Sequence, residues 1–347
     1  MKILTITRRS QILLASVVIL AILVILGIKY DLTRHLPTAT HSEAKKPSSD
    51  FFTPIYTLAD DLSIQATPFP QPSVLIAQHL PYFTPLHRAS YATHKLYSEI
   101  WGYGYELMQW SKYTHVKGLS NKAKSINKIY AVHRLLANEL GKAEADRHDW
   151  IFLTDVDTIV SNPAIPLHVL LPPATEDTSE RPEPLFLITQ DHNGFNAGVM
   201  LLRVHPTILS LLETVLREFE QILNGPTEGW NTNDQVLIAR ILTENPHYAK
   251  HVYEMPKNWF NSYFSKDDRV QLQVHLVNHF KKKYRFTPII AENFEILKQA
   301  KDLAEKAGYP NRHGLDLLDY HRDAEIAGQN WWKDAKGGIE NIRFLWD

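Results

Sequence analysis

Between Ser73 and Leu223 the chain alternates short apolar runs with helical stretches, an order that few folds accommodate. "SVLIAQHL" (73–80) has the length and composition of a buried strand. "ASYATHKLYSEIWGYGYELMQW" (89–110) reads as a helix, a Gly-Tyr-Gly-Tyr turn and a second apolar strand. "NKIYAVHRLLANEL" (127–140) carries apolar residues at helical spacing and stops before Gly141. Three further strands are expected at Trp150 to Thr154, at 184–191 and at 196–204. "PTILSLLETVLREFEQIL" (206–223) is amphipathic, with a proline in its first turn. Strands alternating with helices predict an α/β sandwich around a mostly parallel sheet. In such sheets ligands collect beyond the carboxyl ends of the strands.

A length of 347 residues allows one large domain or two modest ones, and 44% hydrophobic content supplies a core. The formal net charge of −1 gives no basic field, so nucleic acid is not an expected partner. The absence of cysteine excludes disulfides, thiolate metal sites and a cysteine nucleophile. Residues 12–28, "ILLASVVILAILVILGI", are uncharged and mostly aliphatic, and as a helix would span about 26 Å. Lys2, Arg8 and Arg9 precede them, which favours a cytosolic N-terminus. No small-x-small cleavage pattern follows, so the run is read as an uncleaved anchor rather than a signal peptide. The expected organisation is a cytosolic tail (1–11), an anchor (12–28), a proline-spaced stem (29–72) and a lumenal domain (73–347).

"WIFLTDVDTIVSNP" (150–163) ends a buried strand in Asp155-Val156-Asp157. Acids at i and i+2 on an extended chain share a side, and their repulsion is costly unless a cation or a shared proton relieves it. Three readings compete. The pair could cap a turn, since Asn162-Pro163 follows. It could belong to a phosphatase of the haloacid dehalogenase type, with a nucleophile and a general acid, but Thr158-Ile159 stands where that motif has Gly-Thr. It could hold Mn²⁺ or Mg²⁺ against the diphosphate of a nucleotide-sugar. The third predicts further polar groups downstream.

They are present. Asn196-Ala197-Gly198 opens a strand with small residues that would let a sugar approach the backbone. Asn233-Asp234-Gln235 stands at a helix start, where an aspartate is also an ordinary first-turn residue. "PKNWFNSYF" (256–264) is an aromatic and amide-rich loop. "VQLQVHLVNHFKKKY" (270–284) ends a strand in His275, Asn278 and His279 with Lys281 to Lys283 beyond, and His275 suits a third metal ligand.

Together these segments resemble glycosyltransferase family 34, the galactosyl- and mannosyltransferase group that also includes xyloglucan xylosyltransferases. The resemblance spans roughly residues 73 to 290. It rests on "YATHKLYSEIWGYGY", with His94 in place and the Gly-Tyr at 102–103, on the Asp155-Val156-Asp157 strand, on Asn-Ala-Gly, on the Asp-Gln helix start, on "FNSY" and on the histidine strand. "LVNHFKKK" departs from the family's glycine-containing closure. The resemblance implies a GT-A fold and a retaining hexosyltransferase that uses Mn²⁺ or Mg²⁺ and a nucleotide-sugar. It further implies that UDP-galactose or GDP-mannose would be the donor, a glycan the acceptor, and the Golgi membrane, in type II orientation, the setting. Asp155, Asp157 and His275 would be metal ligands, and Lys128 and Lys281 would contact the diphosphate. Gln78 and His79 would lie near the base, Val156 and Asn196-Ala197-Gly198 along the donor, and Asp234 and Gln235 at the anomeric centre. The rival expectation is a non-catalytic subunit of a glycosyltransferase complex.

Overall fold

The computed structural model describes residues 72–80, 85–163, 165–173, 181–226, 232–263, 270–276 and 312–338. All of them lie in the unit Lys46–Asp347. The anchor and stem expected at 12–28 and 29–72 lie outside the described residues, apart from Pro72, as do Asn278, His279 and Lys281. Among the described residues no helix is long and apolar enough to cross a membrane.

The core is a six-stranded sheet of β1 (Val74–His79), β2 (Gly104–Met108), β3 (Trp150–Thr154), β5 (Phe186–Asp191), β6 (Gly194–Arg203) and β7 (Val252–Glu254). Its order is β2-β1-β3-β6-β5-β7. The pairings of β1 with β2, β1 with β3 and β5 with β7 are parallel, as the alternation with helices predicts. Strand β6 runs antiparallel to both β3 and β5, so the sheet is mixed. The hairpin between β5 and β6 turns at Gly194, whose φ of 88° is the left-handed conformation that glycine adopts without cost.

Apart from β2, which is mostly half-buried, the strands are buried on both faces, and alternate residues feed two cores. Ile151, Leu153, Met200 and Leu202 pack beneath helices α2 (Ile126–Leu140), α3 (Pro206–Asn224) and α4 (Asp234–Glu244). Trp150, Phe152, Val199 and Leu201 pack on the other side with Tyr97 and Trp101 of α1 (Pro85–Trp101). There they meet Ala324 and Trp332 of the C-terminal helix α7 (Arg312–Asp334). Trp332 is buried there, with its ring 5.7 Å from that of Tyr253. Short helices α5 (Pro246–Ala249) and α6 (Lys257–Phe260) flank β7.

A second, two-stranded sheet decides the site. Strand β4 (Thr158–Val160) begins one residue after Asp157 and pairs antiparallel with β8 (Gln273–His275). The register sets Thr158 opposite His275. Leu276 N donates to Asp157 O at 2.8 Å, and His275 N donates to Ser262 O at 2.7 Å. The histidine is thus carried to the aspartates by backbone pairing across more than a hundred residues of sequence.

Candidate metal centre

Strand β3 ends at Thr154, and Asp155 N continues its pairing by donating to Gly198 O at 2.7 Å. The chain then turns. The Asp155 carbonyl accepts from Thr158 N at 3.3 Å and from Thr158 Oγ1 at 2.7 Å. The turn reading and the metal reading therefore coexist. The backbone and a hydroxyl close the turn, and the two carboxylates remain on one side with Val156, half-buried, between them.

Asp155, Asp157 and His275 each offer a ligand atom, and these atoms lie within 4.8 Å of one another. His275 Nε2 stands 3.2 Å from Asp157 Oδ1. Beneath them the Lys128 ammonium, buried in α2, meets Asp155 Oδ1 at 2.7 Å, Ala197 O at 2.7 Å and Asp234 Oδ2 at 3.1 Å. Asp234 Oδ1 accepts from Ser125 Oγ at 2.6 Å. Burial works against the Lys128 charge, but Asp155 and Asp234 outweigh it and hold the ammonium above its ordinary range. Burial lifts the Asp155 carboxyl and the neighbouring Asp157 charge adds to the lift, with Lys128 opposing. Burial also acts on Asp157, but its contact with His275 wins and draws its pKa down. His275 responds in the opposite sense: desolvation lowers its pKa and Asp157 raises it to a net increase.

This donor set fits a hard divalent cation. Carboxylate oxygens and one imidazole nitrogen suit Mn²⁺ or Mg²⁺, and three carboxylates beside one ammonium leave two negative charges to balance. Asp155, Asp157 and His275 are the residues that would hold it.

Of the other expected site residues, the structure gathers most and leaves several no open side. Gln78 is 1% exposed; its Nε2 donates to Ser90 Oγ at 2.9 Å and Thr154 Oγ1 at 3.1 Å, and its Oε1 accepts from Tyr105 at 2.7 Å. It braces the end of β3 from behind and has no atom left for a base. His79 is half-buried, with Nε2 2.9 Å from Trp110 O. Burial lowers its pKa to about 4, so the ring is neutral near pH 7. Ala197 contributes its carbonyl to Lys128, and its N–H donates to Gln235 Oε1 at 3.1 Å.

Asn196 is turned inward, with Nδ2 donating to Asp191 and Oδ1 accepting from Gly198 N. Gly198 is small for a reason other than sugar approach. A Cβ there would stand 2.2 Å from His275 Cε1, so the space is filled by the imidazole. Asp234 begins α4 behind its Asn233 cap, whose side chain accepts from Val236 N at 2.8 Å.

Two contributors carried no earlier role. Ser125, in the turn before α2, bonds Asp234, and nothing in its sequence surroundings marks it. Asn261 bonds His275 Nδ1 at 2.8 Å, and its place in the amide-rich "FNSY" loop was the available signal. His94 is fully buried, with Nδ1 2.8 Å from Ser90 O and Nε2 2.8 Å from Gln273 Oε1. It ties α1 to β8.

The model of the galactosyl transferase GMA12/MNN10 family matches residues 84–283, more than half of the chain. The chain belongs to that family of glycosyltransferases. The match takes in Lys128, Asp155, Asp157, Asp234 and His275 alike. No curated protein matches the chain. Among solved structures, it is similar to a glycosyltransferase involved in the glycosylation of the major capsid of PBCV-1, at 17% identity and a TM-score of 0.44 over 60% of this chain and 96% of that one. It is also similar to a Drosophila β1,4-galactosyltransferase 7 mutant in complex with manganese, UDP-Gal and xylobiose. There the identity is 12% and the TM-score 0.30, over 63% of this chain and 79% of that one.

Proposed function

We propose that the protein is a retaining, metal-dependent hexosyltransferase of GT-A fold. It transfers galactose or mannose from UDP-galactose or GDP-mannose to a glycan acceptor. Its setting is the Golgi lumen, behind a single N-terminal anchor at 12–28. The observation that carries the reading is the meeting of Asp155, Asp157 and His275 at the carboxyl end of β3, within 4.8 Å of one another.

When bound there, a divalent ion supplies the positive charge that the leaving diphosphate needs. The protein's own residues do the rest. Lys128 holds Asp155 in place through the 2.7 Å ion pair, so that carboxylate is set before a ligand arrives. Asp234 is committed to Lys128 and Ser125, and it adds negative charge at the floor of the site rather than a free nucleophilic oxygen. That placement suits substitution on one face of the sugar, with Asp234 stabilising the positive charge that develops there. Gln235 accepts from Ala197 N at 3.1 Å and so stands beside the carbonyl that Lys128 binds. His79, a neutral ring beside Trp110 and Ser111, would face the base in this reading.

Thermal melting of the detergent-solubilised full chain tests the reading. UDP-galactose or GDP-mannose should raise the melting temperature only when Mn²⁺ is also present, since a ligand at one hundred times its dissociation constant stabilises by about 2.7 kcal/mol. Failure of both donors to shift the melt with Mn²⁺ present would contradict it.

A further inference from the structure

Two buried amides, Asn196 and Asn261, connect Gly198 to His275, and the polarity of each fixes the next. A backbone N–H can only donate, and Gly198 N lies 2.8 Å from Asn196 Oδ1, so that atom is an oxygen. Asn196 Nδ2 accordingly donates to Asp191 Oδ2, also at 2.8 Å. Asp191 is itself fixed, accepting from Asn193 N at 2.6 Å and from the Tyr263 hydroxyl at 3.0 Å. The Asn261 atom 3.1 Å from Asn196 Oδ1 must then be the nitrogen, and it donates to Thr189 Oγ1 at 2.6 Å as well. What remains of Asn261 is its oxygen, 2.8 Å from His275 Nδ1.

A carbonyl oxygen only accepts, so Nδ1 carries a proton; Nε2, 3.2 Å from Asp157 Oδ1, carries the second proton while the ring is charged and is the lone-pair atom once the ring is neutral. Asp191, Asn196, Asn261 and His275 are all buried, so bulk solvent offers no substitute partner if one amide reverses.

We propose that Asn196 and Asn261 are positioning residues that set the tautomer of His275, aiming its Nε2 lone pair at the divalent cation. The proposal rests on the metal reading of Asp155, Asp157 and His275. It also gives Asn196 a role that its place in Asn-Ala-Gly does not suggest: it acts on the metal ligand through Asn261. A histidine ligand whose other nitrogen is held by a fixed acceptor needs no tautomer change before it binds.

The first test needs no metal. In the full chain labelled with ¹⁵N-histidine, long-range ¹H–¹⁵N correlations at a pH where the ring is neutral should show His275 as the Nδ1–H form. The Nε2–H form would overturn the proposal. The second test reads Mn²⁺ affinity by electron paramagnetic resonance of the free ion. Asn261→Leu removes the acceptor, and Asn196→Leu frees Asn261 to reverse; each should weaken Mn²⁺ binding roughly 10- to 100-fold. Asn261→Asp keeps an acceptor against Nδ1 and should stay within a few-fold of the parent. Its lost donation to Thr189 and Asn196 should appear in the melting temperature instead. Parent-like affinity in Asn261→Leu, or equal losses in Asn261→Asp and Asn261→Leu, would overturn the proposal. A parent that binds no Mn²⁺ would sink the metal reading, and the metal-free spectrum would still decide the tautomer.

Discussion

Replacing Gly198 by alanine should disable the metal centre by a single methyl group. The φ of Gly198 is not positive, so alanine brings no backbone strain, and the conflict is one of space alone. The added Cβ would stand 2.2 Å from His275 Cε1 and 2.9 Å from both His275 Nδ1 and Asn196 Oδ1. Carbon atoms in contact settle at about 3.5 Å or more, so the ring must retreat by roughly 1.3 Å. It cannot do so freely, because Asn261 holds Nδ1 and the backbone on either side pairs with Ser262 and Asp157. Metal–ligand distances are fixed to about 0.2 Å, so a retreat of that size removes Nε2 from any shared site. Mn²⁺ affinity should fall at least as far as for loss of an outer-shell partner, about 10- to 100-fold. Overpacking should cost about 1–3 kcal/mol in folding. For a domain of this size that lowers the melting temperature by roughly 2–12 °C. Titration of free Mn²⁺ by electron paramagnetic resonance, with melts in EDTA, measures both. A Gly198→Ala protein with parent-like Mn²⁺ affinity and melting temperature would refute the placement of His275.

Lys128→Met leaves Asp155 and Asp234 without their buried cation, and should destabilise the metal-free protein by about 3–5 kcal/mol; a melt within a degree of the parent would show that the ion pairs are not formed. His275 titrates above the usual histidine value of about 6.5 because of Asp157, so the stability from that pair is complete below about pH 6.5 and is lost as pH rises through the folded value. Metal-free melts should therefore decline across that window. Mn²⁺ affinity should increase across it as the competing proton leaves, and parallel trends would contradict the shared site. At the far end of α2, Glu139 is buried against His148 and Lys142; desolvation opposes its charge, but these partners lower its pKa from 4.5 to about 2. Its stability is present above about pH 4.5 and lost as pH falls toward 2, so Glu139→Gln should cost roughly 3 kcal/mol at pH 7 and flatten the acid limb of the stability profile.

The strands and helices were legible because their periodicities are local. The runs at 73–80, 127–140, 150–154 and 206–223 each match an element to within a residue or two. Strand order was not legible, since the antiparallel insertion of β6 between β3 and β5 depends on pairing between distant segments. The metal ligands could be picked out by residue type and strand-end position. What surrounds them could not. Lys128 reads as a diphosphate contact until the carboxylates of β3 and α4 close over it. Gly198 reads as room for a sugar until β8 places an imidazole there. Gln78 ends a strand, as a binding residue would, but three neighbours from α1, β2 and β3 consume its amide. In each case the deciding partner lies far along the chain, where no spacing rule reaches.

The central claim is that Asp155, Asp157 and His275 hold a divalent ion on which transfer from a nucleotide-sugar depends. Nucleotide release by the full chain, from UDP-galactose and from GDP-mannose, measures it most directly when run with Mn²⁺, with EDTA and with the Asp157→Ala variant. Release of UDP or GDP should require Mn²⁺, stop in EDTA and fall to background in Asp157→Ala, while that variant's metal-free melt stays cooperative. Release that continues unchanged in EDTA, or at the parent rate in Asp157→Ala, would contradict the account.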